Sequence, residues 1–203
     1  MTMKIALAIA AVVAGGCFAT AAAAQPLSIV QVGAPSVNCV FNNAGAPNCT
    51  VVVDDSIGNF TLPNDTGAAR LQTRTYPGAV GAPAAGDTAY VYRVDLTNVK
   101  GGNCVANLTV ISGPAVVKLP YRQSTPQQNF DLFVVTSGGL GTVGPTSAVQ
   151  NGNEIFFTFN PPVCPGATSY FFGFASAATP VASTAVVANN HGGVENGVPD
   201  RAP

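Results

Sequence analysis

Ionisable side chains are scarce in this chain of 203 residues, which has 8 Lys and Arg, 9 Asp and Glu, and a single histidine. Because no basic stripe is present to neutralise phosphates, we expect no nucleic-acid partner. The lone histidine, His191, cannot supply a set of His metal ligands, and a Ser-His-Asp triad would lack its usual base. These shortages predict a protein that is not an enzyme and that holds no metal or cofactor.

A nucleotide-binding loop is suggested by only one stretch, GGLGTVG at residues 138–144, which contains the GxGxxG pattern. Such a loop must open a helix, whose N-terminal amides hold the pyrophosphate. Here Pro145 follows directly, and only TSAVQ separates it from the Asn151-Gly152 pair. The acidic residue expected about 20 positions further on is also missing. We therefore expect no nucleotide and interpret residues 138–144, the glycine loop, as a turn between two strands.

Signals for long helices are missing too, because no long stretch combines a 3.6-residue hydrophobic period with caps. The chain instead has 47% hydrophobic residues, 22 Gly and 16 Pro, with short apolar or alternating segments between turn residues. Such regular spacing is typical of a sandwich or barrel. The sequence therefore predicts an all-β fold, an antiparallel β-sandwich of Greek-key or jelly-roll type stapled by disulfides.

The predicted strands are the apolar or alternating segments that lie between turn-forming Gly, Pro and Asn residues. They are LSIVQV (27–32), VNCVF (37–41), TVVV (50–53), RLQTRTY (70–76), AYVYRVDL (89–96), CVANLTVI (104–111), AVVKL (115–119), FDLFVV (130–135), EIFFTF (154–159), SYFFGFAS (169–176) and VASTAVVA (181–188). Residues 54–69 are predicted as a turn-rich connection, and NGNE at 151–154 as a hairpin turn around Asn151-Gly152. The best core candidates are Ile155, Phe157, Phe159, Tyr170, Phe172 and Phe174.

The N-terminus has the layout of a secretory signal peptide: Lys4, then an apolar run of small residues, then Ala-Ala-Ala before Gln25. We predict a signal peptide at residues 1–24, one β-sandwich domain at 25–187, and a flexible, Gly- and Asn-rich tail at 188–203. The protein is then exported to the periplasm or the extracellular space, with no integral membrane segment after signal removal. A lipoprotein attached through Cys17 is the alternative.

Signal removal leaves Cys39, Cys49, Cys104 and Cys164, an even number in an oxidising compartment, where thiols pair. Three connectivities are open. We favour Cys39 with Cys49, since they flank a turn-rich segment, and Cys104 with Cys164. A zinc site of four thiolates is the competing interpretation, but the CxxC pairs that usually supply such ligands are absent.

A polar stripe is the candidate ligand surface. Arg70, Gln72 and Arg74 alternate along one predicted strand, and Arg93 lies on the next. Arginine suits bidentate contact with carboxylates, so this stripe could bind an anionic glycan or a protein surface ligand. The simpler interpretation is a solvated strand face whose charges discourage edge pairing.

Two further kinds of site depend on the few acidic residues. Asp54, Asp55 and Asp65 could collect oxygen ligands for calcium, although the DxDxDG order is absent. A pair of carboxylates distant in sequence could serve glycoside hydrolysis.

Four strings, LQTRTY, FVVTSGGLGTVGP, FTFNPPVCPG and FFGFAS, resemble segments of a group of uncharacterised exported bacterial proteins. The resemblance covers about residues 37–176. It implies an exported, β-rich protein in which the glycine loop is structural, and it implies no activity or site residue.

Together these observations predict an exported, non-enzymatic structural or binding module of the cell envelope or extracellular space. The alternatives are a pilin-like or matrix subunit that self-assembles by strand exchange, and a carboxylate-dependent hydrolase.

Overall fold

The computed structural model describes residues 23–33, 36–41, 54–113, 116–120, 129–138 and 140–203. Almost all regular structure in them is β. The elements are β1 (Gln25–Pro26), β2 (Ile29–Gly33), α1 (Val37–Phe41), β3 (Asp54–Phe60), β4 (Ala69–Pro77), β5 (Thr88–Asp95), β6 (Val105–Ile111), β7 (Leu132–Ser137), β8 (Pro145–Asn151), β9 (Glu154–Val163), β10 (Phe171–Ser176), β11 (Val181–Asn189) and β12 (Val194–Ala202).

Two six-stranded sheets pack face to face, which confirms the predicted β-sandwich. The first sheet has the order β1-β8-β9-β6-β11-β12, and the second has the order β2-β7-β10-β5-β4-β3. Strand pairs are antiparallel except that β2 runs parallel to β7, so the second sheet is mixed. The chain passes repeatedly between the sheets, as when β7 of the second sheet is followed by β8 of the first.

The main core lies between the two sheets and contains the residues that the alternation predicted. Ile155, Phe157 and Phe159 of β9 are buried in it, as are Phe172 and Phe174 of β10. The rings interlock, with the centroids of Phe157 and Phe172 4.9 Å apart in an edge-on arrangement. Tyr170 is half-buried at the margin of this core.

A second apolar cluster covers the outer face of the second sheet. The segment VNCVF, predicted as a strand, is helix α1, so that prediction was wrong. Val37, Val40 and Phe41 have the i, i+3, i+4 spacing of one helix face, and all three are buried against this sheet.

The described residues contain no helix with the length and hydropathy that a membrane crossing requires.

The disulfide predicted between Cys104 and Cys164 is present. It joins the residue before β6 to the residue after β9, and these strands are neighbours in the first sheet. Cys39 is also disulfide-bonded. Its expected partner, Cys49, lies outside the described residues, so that pairing stays a prediction, as does the strand at 50–53.

Two segments without strand-like composition are nevertheless strands. Residues 54–60, expected in a turn-rich connection, form β3, which pairs along its whole length with β4. Residues 194–202, expected in a flexible tail, form β12, which pairs with β11 from Val194 to Ala202. The prediction of a tail at 188–203 was therefore wrong. Pairing with a neighbouring strand and packing of β12 on β3 and β4 outweigh the weak local propensity.

The glycine loop connects β7 of the second sheet to β8 of the first, as the turn interpretation predicted. Gly138 and Gly141 have φ of 71° and 111°, which glycine adopts without strain. The chain after Gly144 continues as a strand and not as a helix. The hairpin at 151–154 is also confirmed, but its central residues are Gly152 and Asn153, flanked by the pair Asn151 and Glu154.

Candidate functional site

The polar stripe predicted as a ligand surface lies on the outer face of the second sheet. Arg70, Gln72 and Arg74 lie on β4, and Gln72 is directly opposite Arg93 of β5. Because β4 runs between β3 and β5, its charges cannot serve to protect a sheet edge, and that interpretation was wrong.

Acidic partners already occupy much of this stripe. Asp55 accepts hydrogen bonds from Gln72 Nε2, at 3.1 and 3.0 Å to its two oxygens, and from Arg74 Nε at 3.2 Å. Arg93 donates to Asp95 at 3.1 Å. An incoming anion would have to compete with these carboxylates, so the stripe is poorly prepared for anion binding.

Two arginines of the stripe, Arg74 and Arg93, also cover an aromatic side chain. Each of the guanidinium carbons of Arg74 and Arg93 lies 5.2 Å from the ring centroid of Phe171, which is 2% exposed. This is the geometry of a cation–π contact. Burial acts to raise the pKa of Asp95, but hydrogen bonds from Thr97 and the arginine charges outweigh it and hold that pKa below its ordinary value. The stripe therefore stabilises the outer face of the sheet.

A different feature, a cleft at one edge of the sandwich, has the form of a ligand site. It has a volume of about 440 Å³ and lies where β2 and β7 of the second sheet meet β8, the end of β9 and the glycine loop. One wall is the inner face of β2 and β7, which the first sheet leaves uncovered at this edge. Its lining residues are Ile29, Gln31, Val134, Thr136, Thr142, Val143, Gly144, Pro145, Thr146, Asn160, Pro161 and Tyr170.

The described lining combines apolar side chains with neutral polar ones and carries no charge. None of the described residues that line the cleft is acidic, basic or a cysteine. The hydroxyls of Thr136 and Thr142 and the side-chain amide of Asn160 have no hydrogen-bond partner among the described residues, whereas Thr146 donates to the carbonyl of Thr158. These neutral donors and acceptors are available to a ligand.

The glycine loop contributes three residues to the lining of the cleft. Its residues 142–144 are held against the segment before β10: Thr142 N donates to Thr168 O at 3.0 Å, and Tyr170 N donates to Val143 O at 2.7 Å. A Cβ atom at Gly141 would collide with the Ser169 carbonyl, so only glycine allows this close approach. At Gly144 a Cβ atom would lie 3.0 Å from Val134 and 3.4 Å from the Tyr170 ring, both of which line the cleft.

A buried carboxylate, Asp131, joins the segments that precede β2 and β7, the two strands whose inner face forms one wall of the cleft. Asp131 is 6% exposed and accepts hydrogen bonds from Ser28 N at 2.9 Å and from Ser28 Oγ at 2.6 Å. Ser28 lies between β1 and β2, which pair with different sheets. Asp131 therefore anchors the point at which the N-terminal segment crosses from one sheet to the other.

A second buried carboxyl group, Asp200 of β12, has no comparable partner. It is 1% exposed, and neither of its oxygens has a well-formed hydrogen bond among the described residues. Burial raises its pKa to about 6, although the nearby Ser183 hydroxyl and the charge of Arg201 offset part of the rise. Since β12 and the β1 edge are on opposite sides of the first sheet, Asp200 is remote from the cleft.

The remaining predicted ligands do not come together. Asp55 is engaged on β3, while Asp65, beyond the end of that strand, accepts hydrogen bonds from Gly102 N and Asn103 N at 3.1 Å each. The side chain of Asp54 is outside the described part. His191 is exposed in the β11–β12 turn. Within the residues that the structure describes, no three His, Cys, Asp or Glu side chains form a group that could hold a metal ion.

Sequence reasoning missed the cleft because its lining comes from strands far apart in the chain. The one available signal was the glycine loop, which was predicted as a turn between two strands but whose contact with a cleft was not predicted. No protein-family model, no curated protein and no solved structure matches the chain. The resemblance to exported bacterial proteins therefore stays a prediction.

Proposed function

We propose that the protein is an exported, non-enzymatic binding module whose ligand occupies the cleft between β2, β7 and β8. The observation that carries the proposal is a cavity of ligand size whose lining includes three neutral polar side chains, Thr136, Thr142 and Asn160, that have no hydrogen-bond partner among the described residues. Cavities of about 300–1,000 Å³ with a few placed polar groups are the usual form of small-molecule sites. The described lining offers no acid, base or thiol for catalysis.

Export is part of the same proposal and rests on the signal-like N-terminus at residues 1–24 together with the Cys104–Cys164 disulfide. Disulfides persist in oxidising compartments and are rare in the cytosol. Intact mass of protein purified from its native source, before and after reduction, tests this step. A chain beginning at Gln25 that gains about four mass units on reduction supports it, whereas free thiols or a retained N-terminus would contradict it.

The hydrolase alternative gains no support from Asp200, although its raised pKa is a property of general acids. Its oxygens are buried, and glycoside hydrolysis requires a second carboxylate across an accessible cleft. Self-assembly by strand exchange stays a prediction.

The binding role is tested with a variant that fills the cleft. Gly144→Ala adds a methyl group between Val134 and Tyr170, and the φ of Gly144 is not in the left-handed region, so the backbone tolerates it. Gly102→Ala is the matched control, since a Cβ atom there meets nothing within 4 Å. Extracts of the native envelope are added to isotopically labelled protein, and NMR shifts of cleft amides are followed. Shifts that Gly144→Ala abolishes and Gly102→Ala keeps support the proposal, and their absence in the unsubstituted protein refutes it.

A further inference from the structure

We infer that the ligand of the cleft is a neutral saccharide, with one sugar ring lying against Tyr170 and its hydroxyls bonded by Thr136, Thr142 and Asn160. This inference rests on the proposed binding function and names the chemical class of the ligand. It follows from which chemical classes the lining can and cannot satisfy.

Charged ligands are disfavoured by the absence of a countercharge. An anion or cation that enters the cleft loses hydration, and no ionised side chain among the described lining residues compensates it. Phosphate groups in particular need Arg, Lys or a helix N-terminus. The chain after Gly144 is a strand and supplies no such terminus.

Fully apolar ligands are disfavoured for the opposite reason. Water satisfies the exposed hydroxyls of Thr136 and Thr142 and the amide of Asn160 in the free protein. An apolar ligand would displace that water without replacing its hydrogen bonds, which leaves each group unsatisfied. The ligand must therefore carry several neutral donors and acceptors of its own.

A sugar ring matches the distribution of the remaining contacts. The faces of a pyranose ring present C–H groups, and its rim presents hydroxyls that both donate and accept. The lining of the cleft contains both kinds of partner: Tyr170, Val143 and Pro161 offer apolar surface, and the threonine and amide side chains offer neutral donors and acceptors. A volume of about 440 Å³ limits the occupant to about one or two rings.

An extended peptide is the less favoured occupant. Peptides that bind to β-proteins are held mainly by the backbone groups of a sheet edge, and side-chain pockets add specificity. The unpartnered polar groups here are the side chains of Thr136, Thr142 and Asn160 and not the backbone groups of a sheet edge. A peptide of neutral residues is nevertheless included as a competing probe.

The test is an NMR titration of the mature protein with defined probes: neutral disaccharides such as cellobiose, maltose and diacetylchitobiose, an anionic uronic-acid disaccharide, and a neutral tetrapeptide. We expect saturable shifts at Thr136, Thr142 and Asn160 with at least one neutral disaccharide. Thr136→Val, which keeps the side-chain shape but removes the hydroxyl, should weaken that binding about tenfold. Arg70→Ala, on the outer face of the second sheet, is the control and should leave it unchanged.

The outcomes separate this inference from the proposed function. If no neutral saccharide binds, but the peptide or uronic acid shifts cleft amides in a manner that Gly144→Ala abolishes, the saccharide class is wrong and the binding function stands. If saccharides bind, but their binding is weakened by Arg70→Ala and not by Thr136→Val, the binding site is the polar stripe on the outer face of the second sheet. Both the saccharide inference and the proposed function then fail. If neither the probes nor the envelope extracts shift the cleft amides, both the saccharide inference and the proposed binding function are refuted.

Discussion

Replacement of Asp200 by asparagine should stabilise the protein at neutral pH. Asp200 is 1% exposed on β12, and neither carboxyl oxygen has a well-formed hydrogen bond among the described residues. Charge at this position is therefore unfavourable in the folded state, and burial raises the folded pKa from its ordinary value of 3.8 to about 6. Asparagine has almost the same shape and carries no charge.

The size of the expected gain in stability follows from the difference between the pKa of Asp200 in the folded state and in the unfolded state. The Asp200 carboxyl group holds its proton more tightly in the folded state than in the unfolded chain. Its contribution to the free energy of unfolding is therefore greatest below pH 3.8 and falls as the pH rises through about 6. A difference of about two pH units corresponds to about 3 kcal/mol of the free energy of unfolding at pH 7. Asp200→Asn should recover up to about that amount at pH 7 and almost nothing at pH 4.

Urea unfolding from about pH 2 to about pH 8, followed by circular dichroism, measures this difference. Asp95→Asn is a control of opposite sign, because the pKa of Asp95 is held below its ordinary value in the folded state. That variant should lose stability at pH 7, and the loss should disappear as the pH falls below the ordinary carboxyl pKa. A loss of stability in Asp200→Asn at pH 7, or an unchanged pH dependence, would show that the carboxylate has a stabilising partner and would refute the reasoning.

Three further predictions concern the parts of the fold that hold the cleft and the sheets. Asp131→Ala removes the acceptor for both hydrogen bonds from Ser28 and should lower the free energy of unfolding by about 3 kcal/mol; a loss under about 0.5 kcal/mol in urea unfolding would contradict this anchor. Loss of the Cys104–Cys164 disulfide, which spans a sequence separation of 60, should cost about 4 kcal/mol, measured on the double serine variant. Gly141→Ala should destabilise far more than Gly152→Ala, because both have positive φ but only the former directs a Cβ atom into backbone; equal melting temperatures would refute the close approach.

Much of the fold could be predicted because alternation encodes it locally. In β9, Ile155, Phe157 and Phe159 face the core while Phe156 is 38% exposed, as a period of two requires. The glycine loop was predicted as a connection because Pro145 and the following hairpin leave no room for a helix. The Cys104–Cys164 pairing was predicted by preference and not by necessity, since three connectivities were open.

The candidate site could not be predicted in the same way. Arg74 and Arg93 were recognised as a stripe, but their pairing with Asp55 and Asp95 depends on how β3, β4 and β5 lie side by side. The cleft depends on a still longer-range fact, the separation of the two sheets at the β2 edge. No local pattern records either relation.

By itself, the sequence determined the class of the fold and the faces of its central strands, because side-chain alternation and turn residues act over a few positions. Only the tertiary structure decided the state of the weakly encoded segments. VNCVF became a helix because one apolar face could be buried on the second sheet, and VENGVPDRA became a strand because β11 offered it a pairing edge. Where local preference is weak, the free energy of burial and strand pairing is the larger quantity, and it exists only once distant parts of the chain have met.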